Sequence, residues 1–292
     1  MKGRVCLVTG ATNGIGKAIA EALATLGATV LIHGRNPDKT SRTLDEIRAT
    51  TGSDDVHMFL ADFASLADVR SLAMQVRERV GTLHVLANNA GLLTDQRQVS
   101  ADGFELTFAV NHLAPFLLTR LLLPALTASA PARISFNSSS AMGSASLRLD
   151  DLQMERRFDG WTAYANSKLA NYWVSNLLAG MLTGTGVVSN AYCPGLIDTG
   201  LLTGNRDFGA ARVANMRRSM RSPADGAMTP VFLATAADAG EINGAFFLKS
   251  HGDGLAPVDV PWDREAAEQL WRLSTDYVAQ WLDTAGPEIP LR

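Results

Sequence analysis

The sequence predicts an α/β fold, a doubly wound sheet of about seven parallel strands with helices on both faces. Three observations predict it. Short β-branched apolar runs alternate with longer segments of helical periodicity along the chain. The strand runs lack polar alternation, the pattern of strands covered on both faces and so of a parallel sheet. The 292 residues are 47% hydrophobic and 19% charged, enough to bury one large core, and no repeat, charge block or low-complexity tract divides them.

The elements follow in order. RVCLVTG (4–10) is a strand and GIGKAIAEALATLG (14–27) a helix; TVLIHG (29–34) precedes the helical PDKTSRTLDEIRAT (37–50); VHMFLAD (56–62) precedes SLADVRSLAMQVRERV (65–80). LHVLANNAG (83–91) then leads to a long helix through Asn111 to Leu126, RISFNS (133–138) to the helix carrying Tyr164, and VVSNAYCPG (187–195) and AFFLK (245–249) close the sheet. A C-terminal helix is expected over about 263–283, and the chain reads as a single domain, 1–292.

A formal net charge of -3 and a pI near 6.0 give no footprint for nucleic acid or an anionic membrane. The five histidines (33, 57, 84, 112 and 251) lack metal-ligand spacing, so no metal is expected. Cys6 and Cys193 fall in apolar runs as small hydrophobes, and two cysteines make no disulfide framework, which fits a reducing, cytoplasmic setting. The apolar run in MKGRVCLVTG is too short for a signal peptide, and LAPFLLTRLLLPAL (113–126) holds Arg120 and two prolines, so no membrane span is expected.

In a doubly wound sheet ligands sit outside the carboxyl ends of the strands, near the switch point of strand order. Residues with chemistry stand there. TGATNGIG (9–16) follows the first strand, with Gly10, Gly14 and Gly16 leading into a helix, an arrangement that lets backbone N–H groups and the helix dipole approach a pyrophosphate. The second strand ends in LIHGRN, where a carboxylate would bind the ribose of NAD(H); Arg35 stands there instead, a guanidinium able to pair with the extra phosphate of NADP(H).

Tyr164 and Lys168 lie four residues apart and so share one helix face. A phenol with an ordinary pKa near 10 needs a shift of roughly three units, or about 4 kcal/mol, to exchange protons readily at neutral pH. A cation at about 4 Å supplies about 4 kcal/mol at an effective dielectric near 20. Lys168 is therefore expected to lower the phenol pKa. Pro115 has no N–H to return to the Asn111 carbonyl four residues earlier, so that carbonyl is expected to be free for water.

TGATNGIG, NNAG (88–91), Asn111, Ser139 and YANSK (164–168), in this order, resemble the short-chain dehydrogenase/reductase family, over about Gly3 to Tyr277. The resemblance implies a Rossmann-type fold and a nicotinamide dinucleotide as cofactor, which Arg35 makes NADP(H) in preference to NAD(H). It assigns Asn111, Ser139, Tyr164 and Lys168 to catalysis: Tyr164 as proton donor or acceptor, Ser139 orienting the substrate oxygen, with Ser138 as its close alternative. Lys168 would also bind the nicotinamide ribose, and Asn111 would hold a relay water.

The resemblance further places Gly10, Asn13, Gly14, Ile15, Gly16, Arg35, Asp62, Phe63, Asn88, Ala90, Gly91, Pro194, Gly195 and Thr199 on the cofactor. Asp62 reads equally as a helix-start acid, Asn88 as a tie between strand ends, and Thr199 as the start of the next helix. LRLDDLQMERRFDGW (147–161) lengthens the interval before Tyr164 and, with NHLAPFLLT, SKLAN and LWRLS, resembles the retinol dehydrogenase and protochlorophyllide reductase-like branch.

That branch implies a lipophilic or polycyclic ketone or aldehyde, or its alcohol, as substrate. A substrate lid is expected over 199–222, with Phe208, Met216 and Met220 apolar and Arg206, Arg212, Arg217, Arg218 and Arg221 solvated or facing an acidic substrate. Trp161 and Tyr172 are wall or core candidates. The apolar helices after Asn111 and Tyr164 suggest a homodimer, unless the extra segment covers them within one chain. The competing class is a non-catalytic NADP(H)-sensing protein on the same fold.

Overall fold

A computed structural model of the chain describes residues 1–203, 218–248 and 255–283. One eight-stranded sheet runs in the order β3-β2-β1-β4-β5-β6-β7-β8. The strands are β1 (Val5–Val8), β2 (Thr29–Gly34), β3 (Val56–Leu60), β4 (Val85–Asn88), β5 (Ala132–Asn137), β6 (Val187–Cys193), β7 (Phe246–Leu248) and β8 (Pro257–Val258). The first seven pair in parallel, so each connection is a crossover, and strand order reverses between β1 and β4. The eighth strand, absent from the sequence expectation, pairs antiparallel with β7. Its two residues include a proline, which belongs on an edge, and carry no apolar run that could announce them.

Helices α1 (Gly14–Thr25), α2 (Pro37–Thr51) and α3 (Leu66–Val80) begin where a side-chain oxygen meets the first free N–H groups: Asn13 accepts from Gly14 N, Asn36 from Lys39 N and Ser65 from Asp68 N. Two apolar layers lie on the two sheet faces. One joins α1 to Val8, Val30 and Ile32; the other joins α3 and the long central helices to Leu7, Leu31 and Leu86. β3 is an edge strand, and its Met58 and Leu60 are 39% and 38% exposed, unlike the doubly covered strands beside it.

The long helix after β4 has three parts: a first turn, α4 (Leu106–Phe108), a π segment (Ala109–Leu113) and α5 (Ala114–Ala128). Glu105 caps it, its carboxylate accepting from Thr107 N at 2.8 Å and Phe108 N at 2.7 Å. The wider π turn sits where Pro115 withholds an N–H from the ladder. Leu106–Ala128 spans 23 residues and holds an 18-residue window of mean hydropathy 1.4, long and apolar enough to cross a bilayer by length and composition, with 89% of that window buried inside the protein.

The next helix, α6 (Gly160–Met181), carries Tyr164 and Lys168; α7 (Gly200–Thr203) and α8 (Pro223–Thr235) follow. The C-terminal helix is α9 (Arg264–Val278), capped by Asp263 and packed against α6 and the π segment. Its Trp271 ring meets Phe116 edge-on at 4.9 Å, and Arg120 donates to Thr275 at 2.9 Å. Apolar surface that the sequence left open on the two central helices is thus covered in part by the chain's own last helix.

Candidate active site

A cleft of about 1030 Å³ opens over the carboxyl ends of β1 and β4, at the reversal of strand order. Its floor is the loop from Gly10 to Gly16. Gly10 has φ +64, and a Cβ there would stand 2.8 Å from Ala90 Cα; a Cβ on Gly16 would stand 2.3 Å from the Gly10 carbonyl oxygen. The loop therefore closes on β4 only because both positions are glycine. The first-turn N–H groups of α1 have no partner inside the helix, that turn holds no acidic residue, and Asn13, Gly14, Ile15 and Gly16 line the cleft. This cradle fits the pyrophosphate of a dinucleotide.

At the β2 end, Arg35 is largely exposed and 3.9 Å from Asp62, a surface pair of little energetic consequence that leaves the guanidinium available. Lys39, on the first turn of α2, lines the same end of the cleft and adds a second cation that the sequence reading missed. Its signal was present: a lysine four residues past Arg35, in the first turn of a helix that springs from the strand end.

Asp62 Oδ1 accepts from Ala64 N at 3.0 Å, while the cap of α3 is Ser65, so Asp62 shapes the turn before the helix and still faces the cleft. Phe63 stacks on His33, with ring centroids 4.3 Å apart. His33 was weighed only as a metal ligand, yet it joins three strand ends. Its Nδ1 accepts from Gly10 N at 3.1 Å, so Nε2 carries the proton and donates to Ala61 O at 3.0 Å. Burial lowers its pKa to about 4, holding this neutral form.

Two sequence expectations about asparagines require correction. Asn88 does not line the cleft: its Nδ2 donates to Thr119 at 3.0 Å, tying β4 to α5. Alternation along the strand turns Asn89 to the cleft instead, where its Nδ2 donates to Thr9 O and its Oδ1 accepts from Asn137. Nor is the Asn111 carbonyl open. Asn171 Nδ2, from α6, donates to it at 2.8 Å, so a neighbouring helix supplies the bond that Pro115 withholds. The Asn111 side chain does not line the cleft either; it clamps the Leu92 backbone, accepting from N at 2.8 Å and donating to O at 2.9 Å.

Ser139, Tyr164 and Lys168 come together at the far end. The Lys168 Nζ lies 5.3 Å from the Tyr164 ring centroid and donates to Asn137 O at 3.0 Å. Ser139 borders this end beside Tyr164, and its hydroxyl accepts from Ala141 N at 3.1 Å. Ser138 also borders the cleft, but its hydroxyl is committed to Lys168 O at 2.8 Å and so anchors α6 to β5.

The electrostatics depart from the expected lowering of the phenol pKa. Burial pushes the Tyr164 phenol up, against the downward pull of Ser139, and lowers Lys168 to about 8. The attraction between phenolate and ammonium, taken before any correction for solvation, favours a lowered phenol pKa; desolvation of both groups dominates here.

Ala90, Gly91, Pro194, Gly195 and Thr199 complete the lining. Thr199 precedes α7, and its Cγ2 would lie 2.9 Å from a Cβ on Gly14, so it closes over the glycine loop. Leu93, Ala141, Trp161 and Leu201 border the end near Tyr164. Tyr172 is core: it is 3% exposed, and its hydroxyl donates to Val260 O at 2.6 Å. Of the expected lid, Arg206, Phe208, Arg212, Met216 and Arg217 lie outside the described residues. Arg221 pairs its backbone with Leu196 and Asp198 beside the loop, and neither it, Arg218 nor Met220 borders the cleft.

A glycine cradle at the switch point and a tyrosine–lysine–serine group at the other end of one cleft define a dinucleotide-dependent α/β oxidoreductase. A family profile described as short chain dehydrogenase matches residues 4–208. The chain belongs to the short-chain dehydrogenase family; it is an NAD(P)-dependent dehydrogenase/reductase of the retinol dehydrogenase-like branch.

Retinol dehydrogenase 12 of Mus musculus is 36% identical over 280 residues, covering 96% of this chain and 88% of that protein. Polyprenol dehydrogenase of Mus musculus is 36% identical over 279 residues, covering 92% and 82%. Among solved structures, an NADP active-site complex of RhlG from Pseudomonas aeruginosa aligns with a TM-score of 0.69 at 28% identity, covering 87% of this chain and 98% of that one. A short chain dehydrogenase of Burkholderia cenocepacia in complex with NADP aligns with a TM-score of 0.69 at 27% identity, covering 86% and 98%.

Proposed function

We propose that the protein is an NADP(H)-dependent oxidoreductase that interconverts a lipophilic or polycyclic ketone or aldehyde and its alcohol. One observation carries the reading: Ser139, Tyr164 and Lys168 share a cleft whose opposite end holds the glycine cradle and two cations, Arg35 and Lys39. Retinol and polyprenol dehydrogenases among the relatives support a greasy substrate, as does the largely apolar border formed by Leu93, Ala141, Trp161 and Leu201.

The loop from Gly10 to Gly16 would hold the pyrophosphate, Asp62 and Phe63 would frame the adenine, and Arg35 with Lys39 would pair with the ribose phosphate. Lys168 would bind the nicotinamide ribose, with Pro194, Gly195 and Thr199 on the carboxamide side. When bound, NADPH supplies a hydride to the carbonyl carbon. Ser139 orients the carbonyl oxygen, and Tyr164 gives that oxygen its phenolic proton. A phenol is protonated at neutral pH, the state required for reduction.

The test is consumption of NADPH and of NADH with all-trans-retinal, a long-chain aldehyde and a polycyclic ketone. NADPH turnover is expected on at least one of them. Arg35→Ala and Lys39→Ala should each raise the KM for NADPH about 10- to 100-fold, the worth of a charge-assisted phosphate contact, and leave that for NADH unchanged. A preference for NADH untouched by Arg35→Ala would reject the cofactor assignment. Tight NADPH binding without oxidation on any substrate would favour the sensor class.

A further inference from the structure

We propose that the C-terminal helix α9 positions Lys168 through a line of buried hydrogen bonds formed by Ser274, His112 and Asn171. The line is read from Lys168 outward. Its Nζ donates to Asn137 O at 3.0 Å, and the same carbonyl accepts from Asn171 Nδ2 at 3.4 Å. Asn171 Nδ2 also donates to Asn111 O at 2.8 Å, so one carboxamide joins the carbonyls of two segments that flank the cleft. Asn171 Oδ1 lies 3.4 Å from His112 Nδ1, and His112 Nε2 lies 2.8 Å from Ser274 Oγ on α9.

The direction of each bond follows from chemistry. A carboxamide oxygen only accepts, so His112 Nδ1 carries the hydrogen. Nε2 of the neutral ring must then accept from the Ser274 hydroxyl. Burial keeps the ring neutral, lowering its pKa to about 4. Donation therefore runs one way: Ser274 to His112, His112 to Asn171, Asn171 to the carbonyl that holds Lys168. Ser274, His112 and Asn171 are at most 3% exposed and away from the cleft, so water is no ready substitute for a lost partner within the line.

A fully satisfied polar line rigidifies the core around it and fixes orientation. Its far end is well held. Trp271 packs on Phe116, Arg120 bonds Thr275, and Tyr277 packs on Phe104 and Phe108, so α9 grips the helix that carries Asn111 and His112 at several points. Ser274 faces inward between those anchors. Asn171, His112 and Ser274 are positioning residues: none borders the cleft.

The catalytic consequence rests on the reading of Lys168 given above, and the test separates the two. NMR titration of the Lys168 ammonium in the full-length protein reads the positioning without any turnover. Tyr164 and the Cys193 thiol are the titratable neighbours that act on this cleft end and are unchanged in every variant. Ser274→Ala should move the Lys168 titration by about half a unit or more toward the ordinary lysine value, as a less tightly held amine meets water. It should lower kcat several-fold on the best carbonyl of the panel and leave KM within about twofold.

Ser274→Thr, which keeps the hydroxyl, should restore both. Thr275→Ala, which removes one of several anchors and leaves Ser274 and the aromatic contacts of α9 in place, should leave the titration unmoved. A wild-type Lys168 titration in both Ser274→Ala and Asn171→Leu, which removes the carboxamide without adding a charge, would overturn the proposal. Turnover that survives in Lys168→Ala would instead defeat the catalytic reading, with the titration still deciding the positioning.

Discussion

Tyr164 and Lys168 meet because α6 sets residues four apart on one face, yet their protonation states are decided by what surrounds them. Desolvation is the largest influence on both groups: the phenol is raised and the ammonium lowered to about 8. The same balance governs two histidines outside the reaction. His33 and His112 have folded pKa values of about 4 against an ordinary 6.5. Between those values the unfolded chain binds more protons than the folded one, so stability falls as pH falls through the window from about 6.5 to 4. Each ring can withdraw about 3 kcal/mol at the acid end. Urea unfolding from pH 7 to pH 4 should show this loss, and His112→Gln should remove about one proton's worth of its slope. An unchanged slope would contradict the neutral, buried assignment. The residue-level site was legible where a motif names a side chain, as for Tyr164, Lys168 and Ser139. It was illegible where a partner arrives from a distant segment: Asn171 closing the Asn111 carbonyl, or Thr119 claiming Asn88, leaves no trace in local spacing.

At the scale of elements, the start of α6 decides where Tyr164 stands. Asp159 caps the helix, and a Cβ on Gly160 would come within 2.0 Å of Thr94 O and 3.0 Å of Asp95 Cα. The bare backbone at Gly160 lets the loop after β4 lie flush against the helix start. That loop is held on its other side by the Asn111 clamp on Leu92 and by Thr107, whose Oγ1 is 3.3 Å from that of Thr94. The longer interval before Tyr164 contributes here as well: Gln153 Oε1 accepts from Glu105 N at 2.7 Å, and Arg97 donates to Gln153 O at 3.0 Å. Gly160→Ala must displace either the loop or the helix start. We expect a loss of about 1–3 kcal/mol in denaturant unfolding and a lower kcat, because the displaced helix carries the reacting phenol. Wild-type values of both would show that the loop yields freely. The sequence marked the extra segment but not its office, since Gly160 reads as an ordinary residue of a turn until the loop from β4 is laid against it.

For the molecule as a whole, seven parallel strands with crossover connections leave one natural place for a ligand, where strand order reverses between β1 and β4. The alternation of apolar runs with helical periods made the sheet and its helices legible, because doubly covered strands cannot hide their composition. What escaped was set at the periphery: the two-residue β8, exposed positions on the edge strand β3, and the packing of α9 against the central helices. Each depends on which surfaces meet, and periodicity along one segment says nothing of its neighbour. The parts converge on one claim, that the Tyr164 phenol transfers the proton to or from the substrate oxygen within this cleft. The most direct measurement is kcat of Tyr164→Phe with NADPH and a carbonyl that the wild type reduces, alongside calorimetric binding of NADPH to both proteins. The account predicts a fall in kcat of about 10²- to 10⁴-fold with NADPH affinity within a few-fold of wild type; undiminished kcat in the variant would contradict it.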